Sequence, residues 1–197
     1  MRLRTTALGA VLGLAAGAAA AQDVTVSHGY NFFGTLAYDA DYAHLNYVNP
    51  DAPTGGEMSV WARGTFDSFN LYTRKGRPGS LSTIGHEDLL TTFADDPTAL
   101  YCNLCHTIEY PEDLSWVIYN LRDDVTFVDG RGWGAEDLKF TFDLFMEQGL
   151  PSFRAAFGAM IAEVEVLDTQ KVKFHFQPDS PPRDRISLSG IFPAFSK

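Results

Sequence analysis

The chain has 197 residues, a formal charge of −10 at pH 7, 45% hydrophobic residues and 13% aromatic ones. That is enough apolar material to bury a core, which excludes a disordered tail. An acidic balance with no basic cluster also excludes nucleic acid and anionic membrane surfaces as partners, because both need Lys and Arg against phosphate.

The N-terminus carries Arg2 and Arg4, an apolar run over residues 7–20, and small residues up to Ala21-Gln22. This is the three-part design of a secretory signal peptide, and it predicts residues 1–21 as a leader and 22–197 as one exported, periplasmic domain. Residues 7–21 are mostly Ala and Gly and fall short of the about 20 apolar residues that a membrane span needs. No later stretch reads as a span either.

Residues 24–47 are rich in Gly and aromatics and run into Asn49-Pro-Asp-Ala-Pro-Thr-Gly-Gly56, a concentration of turn formers. They read as an entry arm ending in a loop. Residues 57–62 then alternate, with Met58, Val60 and Ala62 on one side and Trp61 on the other, which predicts a strand that stops in the polar, aromatic loop of residues 63–70. Residues 74–80 read as a solvated loop, and Leu81, Ile84, Leu89 and Leu90 as a short helix.

Over residues 115–121, Trp116 and Ile118 oppose Val117, Tyr119 and Leu121, the pattern of a strand covered on both faces. A second strand beginning at Val125 is expected to pair with it across Arg122-Asp123-Asp124. Asp129-Gly130 supplies a turn, and the spacing of Leu138, Phe142, Phe145 and Met146 predicts a helix over 135–148, stopped by Gly149-Leu150-Pro151. Residues 152–161 predict another helix through Phe153, Phe157 and Met160. Val164 and Val166, a polar break at 168–170, then Val172, Phe174 and Phe176 predict a hairpin. Residues 178–185 read as loop, and 191–197 offer no obvious finishing element.

The most distinctive chemical pattern is Cys102-Asn-Leu-Cys105-His106. Exported cysteines generally meet an oxidising compartment, so a structural disulfide or packed thiol pair comes first. A redox-active dithiol is a second reading, although such pairs usually open a helix in a βαβ unit. The bare pattern is also the attachment sequence of a c-type haem with His106 as axial ligand, which leaves an exported redox or haem protein as the alternative function.

Other searches return nothing. His86-Glu87 begins like a zinc-protease helix, but Leu90 occupies the second histidine position. The remaining histidines are scattered, and neither a nucleophile elbow nor a phosphate loop is present. Glu109, Glu112, Asp113, Asp123 and Asp124 read as surface carboxylates. The expectation is therefore no catalytic residue, no metal site and no cofactor.

Several motifs carry a resemblance when taken together and in order. They are Asn49-Pro-Asp-Ala-Pro-Thr-Gly-Gly56, Gly64-Thr-Phe-Asp-Ser-Phe-Asn70, Glu109-Tyr-Pro-Glu-Asp113, Ser115-Trp116 and Phe127-Val-Asp-Gly-Arg-Gly-Trp-Gly-Ala-Glu-Asp-Leu-Lys-Phe-Thr-Phe142. The chain resembles the bacterial extracellular solute-binding proteins of family 5, the dipeptide and oligopeptide receptors of ABC importers, and within them the branch linked to uptake of microcin C and other peptides. The resemblance implies a mixed α/β fold (α+β), the first lobe of a two-lobed periplasmic-binding-protein-like architecture of class II (cluster C), truncated before its second lobe. It implies a peptide ligand and an inner-membrane permease and ATPase complex as partners, and no enzyme activity.

It also implies where the ligand would touch. Thr65, Phe66, Asp67 and Ser68 match the segment of the first lobe that faces the cleft, and Phe157 is expected beside them. Two positions depart from the family pattern, Gly132 where Pro is usual and Gly134 where a capping Thr is usual. Glycine is only slightly poorer than Thr as an N-cap, so the helix is expected to survive.

Overall fold

The computed structural model describes residues 23–197. The predicted signal peptide lies outside the described residues, apart from any structural account. Eight strands and three helices follow in the order β1 (Val24–Ser27), β2 (Gly29–Asn31), β3 (Leu90–Phe93), β4 (Asp96–Cys102), β5 (Cys105–Pro111), β6 (Trp116–Leu121), α1 (Ala135–Gln148), α2 (Pro151–Gly158), β7 (Ile161–Asp168), β8 (Lys171–Phe176) and α3 (Pro182–Gly190). A five-stranded sheet in the order β1-β5-β6-β8-β7 forms the centre, and β2-β4-β3 forms a smaller one. Every pairing in both is antiparallel.

The central sheet is two-faced because its strands alternate. Val117, Tyr119 and Leu121 of β6 and Val172, Phe174 and Phe176 of β8 are buried toward the helices, whereas Asn120, Lys171, Lys173 and His175 point to the opposite side. Full burial of a side chain such as Phe174 contributes about 1.5–3 kcal/mol. On the outer side a Glu109–Lys171 ion pair at 2.7 Å links β5 to β8 across β6, a His175–Glu165 contact at 2.8 Å joins β8 to β7, and the Lys173 ammonium sits over Trp116.

Helix α1 fits its predicted bounds, with Leu138, Phe142 and Phe145 buried. Its start explains the departure at Gly134. A Cβ there would lie 2.5 Å from the Thr169 carbonyl oxygen, and that same oxygen accepts the Ala135 N–H at 2.9 Å. The β7–β8 turn thus takes over the capping duty of a Thr side chain and leaves no room for one. Asp137 completes the start by accepting the Gly134 N–H at 2.9 Å.

Several expectations require correction. Residues 57–62 form no strand, because no neighbouring strand is there to pair with them. Val125 begins no strand either. Strand β6 pairs with β5 and β8, and residues 125–132 fold into a tight loop closed by Phe127 N–H to Arg131 O at 2.8 Å and a lone Thr126–Gly132 bridge. The expected helix around Leu81 reduces to one 3-10 turn at Ser82–Gly85, and Leu90 opens β3 instead. Helix α2 ends at Gly158, Met160 lies in the turn that follows, and Ile161 opens β7.

Residues 182–190, part of an expected loop and tail, form α3. Pro182 stands at a first-turn position where its missing N–H costs nothing, and Arg185 fixes the helix. The Arg185 side chain is 6% exposed. Its fork donates to the carbonyls of Asp113, Leu114, Gln177, Pro178 and Ser180 and to Ser180 Oγ, at 2.9–3.2 Å. The guanidinium therefore joins α3 to the β5–β6 turn, where Leu114 adopts a φ of 51°. Residues 191–197 run back along α1, with Phe192 in the core, Phe195 N–H on Thr141 Oγ1 at 2.8 Å and Lys197 on Glu136.

Candidate functional site

Residues 63–80 form a loop that is organised by its own polar groups. Asp67 Oδ1 accepts the Arg77 N–H at 2.5 Å, Arg77 Nη1 donates to Thr65 Oγ1 at 3.1 Å, and the Arg77 carbonyl accepts the N–H groups of Asp67 and Ser68. Ser68 O accepts the Gly79 N–H at 3.0 Å, and Ser68 Oγ accepts the Asn70 N–H at 3.0 Å. Gly76 is required here, since its φ is +82° and a Cβ would meet Asp67 Oδ1 at 2.8 Å. The polar side chains of Thr65, Asp67 and Ser68 are thus engaged in holding the loop. What the loop presents outward is a pair of rings, Phe66 at 59% and Phe69 at 69% exposure, 5.0 Å apart.

Phe157 sits elsewhere. It is 7% exposed, stacks on Phe153 at 4.2 Å and packs on Phe192, which makes it a core residue of α2. Its link to the loop is indirect and runs through Phe153 to Tyr72. Tyr72 is the hinge of this region, with Phe145 at 5.2 Å, Phe195 at 5.0 Å and His86 at 5.5 Å. Burial pushes its phenol above the ordinary range, and the Asp88 charge adds to that.

Next to Tyr72 lies a cavity of about 500 Å³. His86, Phe127, Trp133 and Phe195 stand among its walls, while Thr65, Phe66, Asp67, Ser68 and Phe157 line none of it. Trp133 is held by its indole N–H on the Arg122 carbonyl at 2.9 Å, and Arg122 is itself paired with Asp124. Sequence reasoning missed this cavity because its walls come from four separate stretches, each with an ordinary packing pattern. The volume is in the range of small-molecule sites. Its lining sets Phe127, Trp133 and Phe195 beside the polar side chains of His86, Glu87, Thr126 and Ser196.

Cys102 and Cys105 are joined in a disulfide that spans the turn between β4 and β5, at the corner between the two sheets. Each sulfur bonds the other, so neither is left for a thioether link to haem, and His106 lies exposed beside the bond. The context is strand–turn–strand and differs from the helix start of redox-active dithiols. Among the described residues no group of three or more His, Cys, Asp or Glu side chains could hold a metal ion, and no helix is long and apolar enough to cross a membrane.

These features define a mixed α/β fold built on an antiparallel sheet. Its architecture is that of the oligopeptide-binding protein AppA from Bacillus subtilis, solved with a nonapeptide, at a TM-score of 0.51 and 17% identity, over 67% of this chain and 26% of that one. Residues 100–197 match the family model described as bacterial extracellular solute-binding proteins, family 5 Middle, and over those residues the chain is of that family. Two relatives extend the likeness toward the N-terminus. The uncharacterized protein YejA of Escherichia coli K12 is 36% identical over 137 residues, 70% of this chain and 23% of its own length. The peptidoglycan-binding protein YepA of Agrobacterium fabrum is 31% identical over 192 residues, 93% of this chain and 31% of its own length. The chain therefore spans less than a third of the relatives it matches.

Proposed function

We propose that residues 22–197 are the first lobe of a periplasmic receptor that binds peptides and delivers them to an inner-membrane ABC permease and ATPase. The family match over residues 100–197 carries this reading. The solute class follows from the fold shared with a nonapeptide complex and from a relative named for peptidoglycan binding, a polymer whose cross-links are peptides. Lobes of this kind close around a solute, and transport of varied peptides favours main-chain hydrogen bonds with tolerant side-chain pockets. Thr65 to Ser68 then frame the loop on the cleft side, with Phe66 offering apolar surface. Phe157 supports that surface from the core through Phe153 and Tyr72. Export after Ala21 places the lobe outside the inner membrane, and the disulfide suits that compartment.

A lobe that supplies half a cleft binds weakly by itself, because closure by a second lobe completes the contacts. Calorimetry of the purified chain with a mixture of short peptides is expected to give no heat of binding below millimolar concentration. Micromolar binding would contradict the half-cleft reading.

A further inference from the structure

The loop of residues 63–80 is closed on itself by hydrogen bonds and tied to the body by a ring. Among the described residues its hydrogen bonds run only between residues 63 and 82. Among them, too, every ring contact from the loop to the rest of the chain is made by Tyr72. That ring lies against Phe145 of α1 at 5.2 Å with 32° between the planes, and edge-on to Phe153 of α2 at 6.5 Å. Its hydroxyl makes no hydrogen bond among the described residues, so the seat is made by the ring. Two side chains then carry the position of Tyr72 back along the backbone. Asn70 Oδ1 accepts the Tyr72 N–H at 2.8 Å, and Ser68 Oγ accepts the Asn70 N–H at 3.0 Å. Each step is a polar side chain accepting the N–H two residues on, a local turn that fixes the residues it spans. All of these contacts are made by named pairs within the loop or between it and the packed helices.

We propose that Tyr72 and Asn70 are positioning residues for the peptide site: the Tyr72 ring seats the loop on α1 and α2, and the Asn70 carboxamide carries that placement to Thr65 to Ser68. The proposal rests on the reading of residues 65–68 as the cleft-facing segment of a peptide receptor. Both residues act through that segment and not by touching peptide. A receptor binds through the fraction of its molecules that hold the site in the competent geometry, so apparent affinity falls with that fraction. Losing the Tyr72 ring leaves the bonds from Arg77 to Thr65, Asp67 and Ser68 in place while the loop comes off its seat. The segment then keeps its shape and loses its place. Losing the Asn70 acceptor has the complementary effect, because the ring stays seated and the step from it to Ser68 is cut.

The test reads loop position and peptide contact separately in the purified chain. Nitroxide labels at Lys75→Cys in the loop and Glu147→Cys on α1 occupy exposed positions, and the two native cysteines are held in their disulfide. Electron spin resonance is expected to give one narrow label-to-label distance in the parent chain, a broad distribution in Tyr72→Ala and a narrow one again in Tyr72→Phe. In a second arm, a mixture of short peptides at millimolar concentration is expected to shift the amide resonances of residues 65–68 in the unlabelled parent chain. Tyr72→Ala is expected to need about tenfold more peptide for the same shift, and Tyr72→Phe no more than the parent. Asn70 is exposed, so Asn70→Ala keeps the test open should Tyr72→Ala fold poorly by circular dichroism. It is expected to keep the narrow distance and still weaken the peptide shifts. A Tyr72→Ala chain with the parent's narrow distance overturns the proposal, as does a Tyr72→Phe chain that stays broad. Peptide shifts undiminished in folded Tyr72→Ala or in Asn70→Ala overturn the role in binding while leaving the peptide reading intact. Peptide that shifts none of residues 65–68 in the parent overturns the peptide reading, and the positioning role with it, whatever the distances show.

Discussion

Strands β6 and β8 and the segment 57–62 have the same sequence grammar and opposite fates. In the sheet, Val117, Tyr119 and Phe174 alternate with outward residues and are fully buried, because each strand has two neighbours and three helices close the inner face. In the loop, Met58, Val60 and Trp61 alternate equally well and stay in solvent. Alternation states what a segment can become; a partner on either side decides whether it does. The molecule thus divides into a packed body built on the central sheet and an open arm, residues 49–85, held by short polar contacts and by the Tyr72 ring against Phe145 and Phe195.

Substitutions can break that division, and the largest effects belong to the body. Phe174→Ala empties the centre of the core and is expected to cost about 3–5 kcal/mol in urea unfolding. Arg185→Met comes next. It leaves carbonyls of two loops without a donor and is expected to cost about 3 kcal/mol, with Arg185→Lys recovering only part, since an ammonium has three donors and no fork. Gly134→Ala sets a methyl group against the Thr169 carbonyl and is expected to cost about 1–3 kcal/mol, seen as a lower melting temperature.

The sheet's outer face gives a smaller, pH-dependent effect. The Lys171 ammonium, hydrogen-bonded to Glu109, holds that carboxyl below its ordinary range, with Asn120 assisting against the cost of burial. A depressed carboxylate contributes stability above its unfolded value, and that contribution is lost as pH falls through the folded value. The stability gap between the wild-type chain and Glu109→Gln is expected to be under about 1 kcal/mol at pH 7 and to close in unfolding titrations carried toward pH 3. In the arm, Met58→Ala and Trp61→Ala are expected to change global stability by less than about 0.5 kcal/mol. A large loss at either position would mean that the arm belongs to the body after all.

The readable part of the fold was the part where local pattern and tertiary partner agree. Leu138, Phe142 and Phe145 announce α1, Val172, Phe174 and Phe176 announce β8, and both stand as read. Strands β3 to β5 escaped notice for a physical reason. Register shifts interrupt the pairings at Thr91/Phe93 and Cys105/Thr107, so the period-two signal is broken where the chain bulges. Helix α3 was hidden behind Pro181-Pro182 and its charged neighbours, because what fixes it is the buried Arg185 fork, a tertiary contact that no spacing reveals. Among the proposed site residues, Thr65 to Ser68 rest on family resemblance and on no local pattern. The cavity beside Tyr72 was not reached, since His86, Trp133 and Phe195 meet only in the folded chain.

Residue-resolved hydrogen exchange tests the division between body and arm most directly. Amides of β6 and β8 should exchange only through global unfolding, while those of residues 57–62 should exchange at nearly the rate of an unstructured peptide. Protection of residues 57–62 comparable to that of β6 would contradict it, because a partner strand would then be present within the single chain.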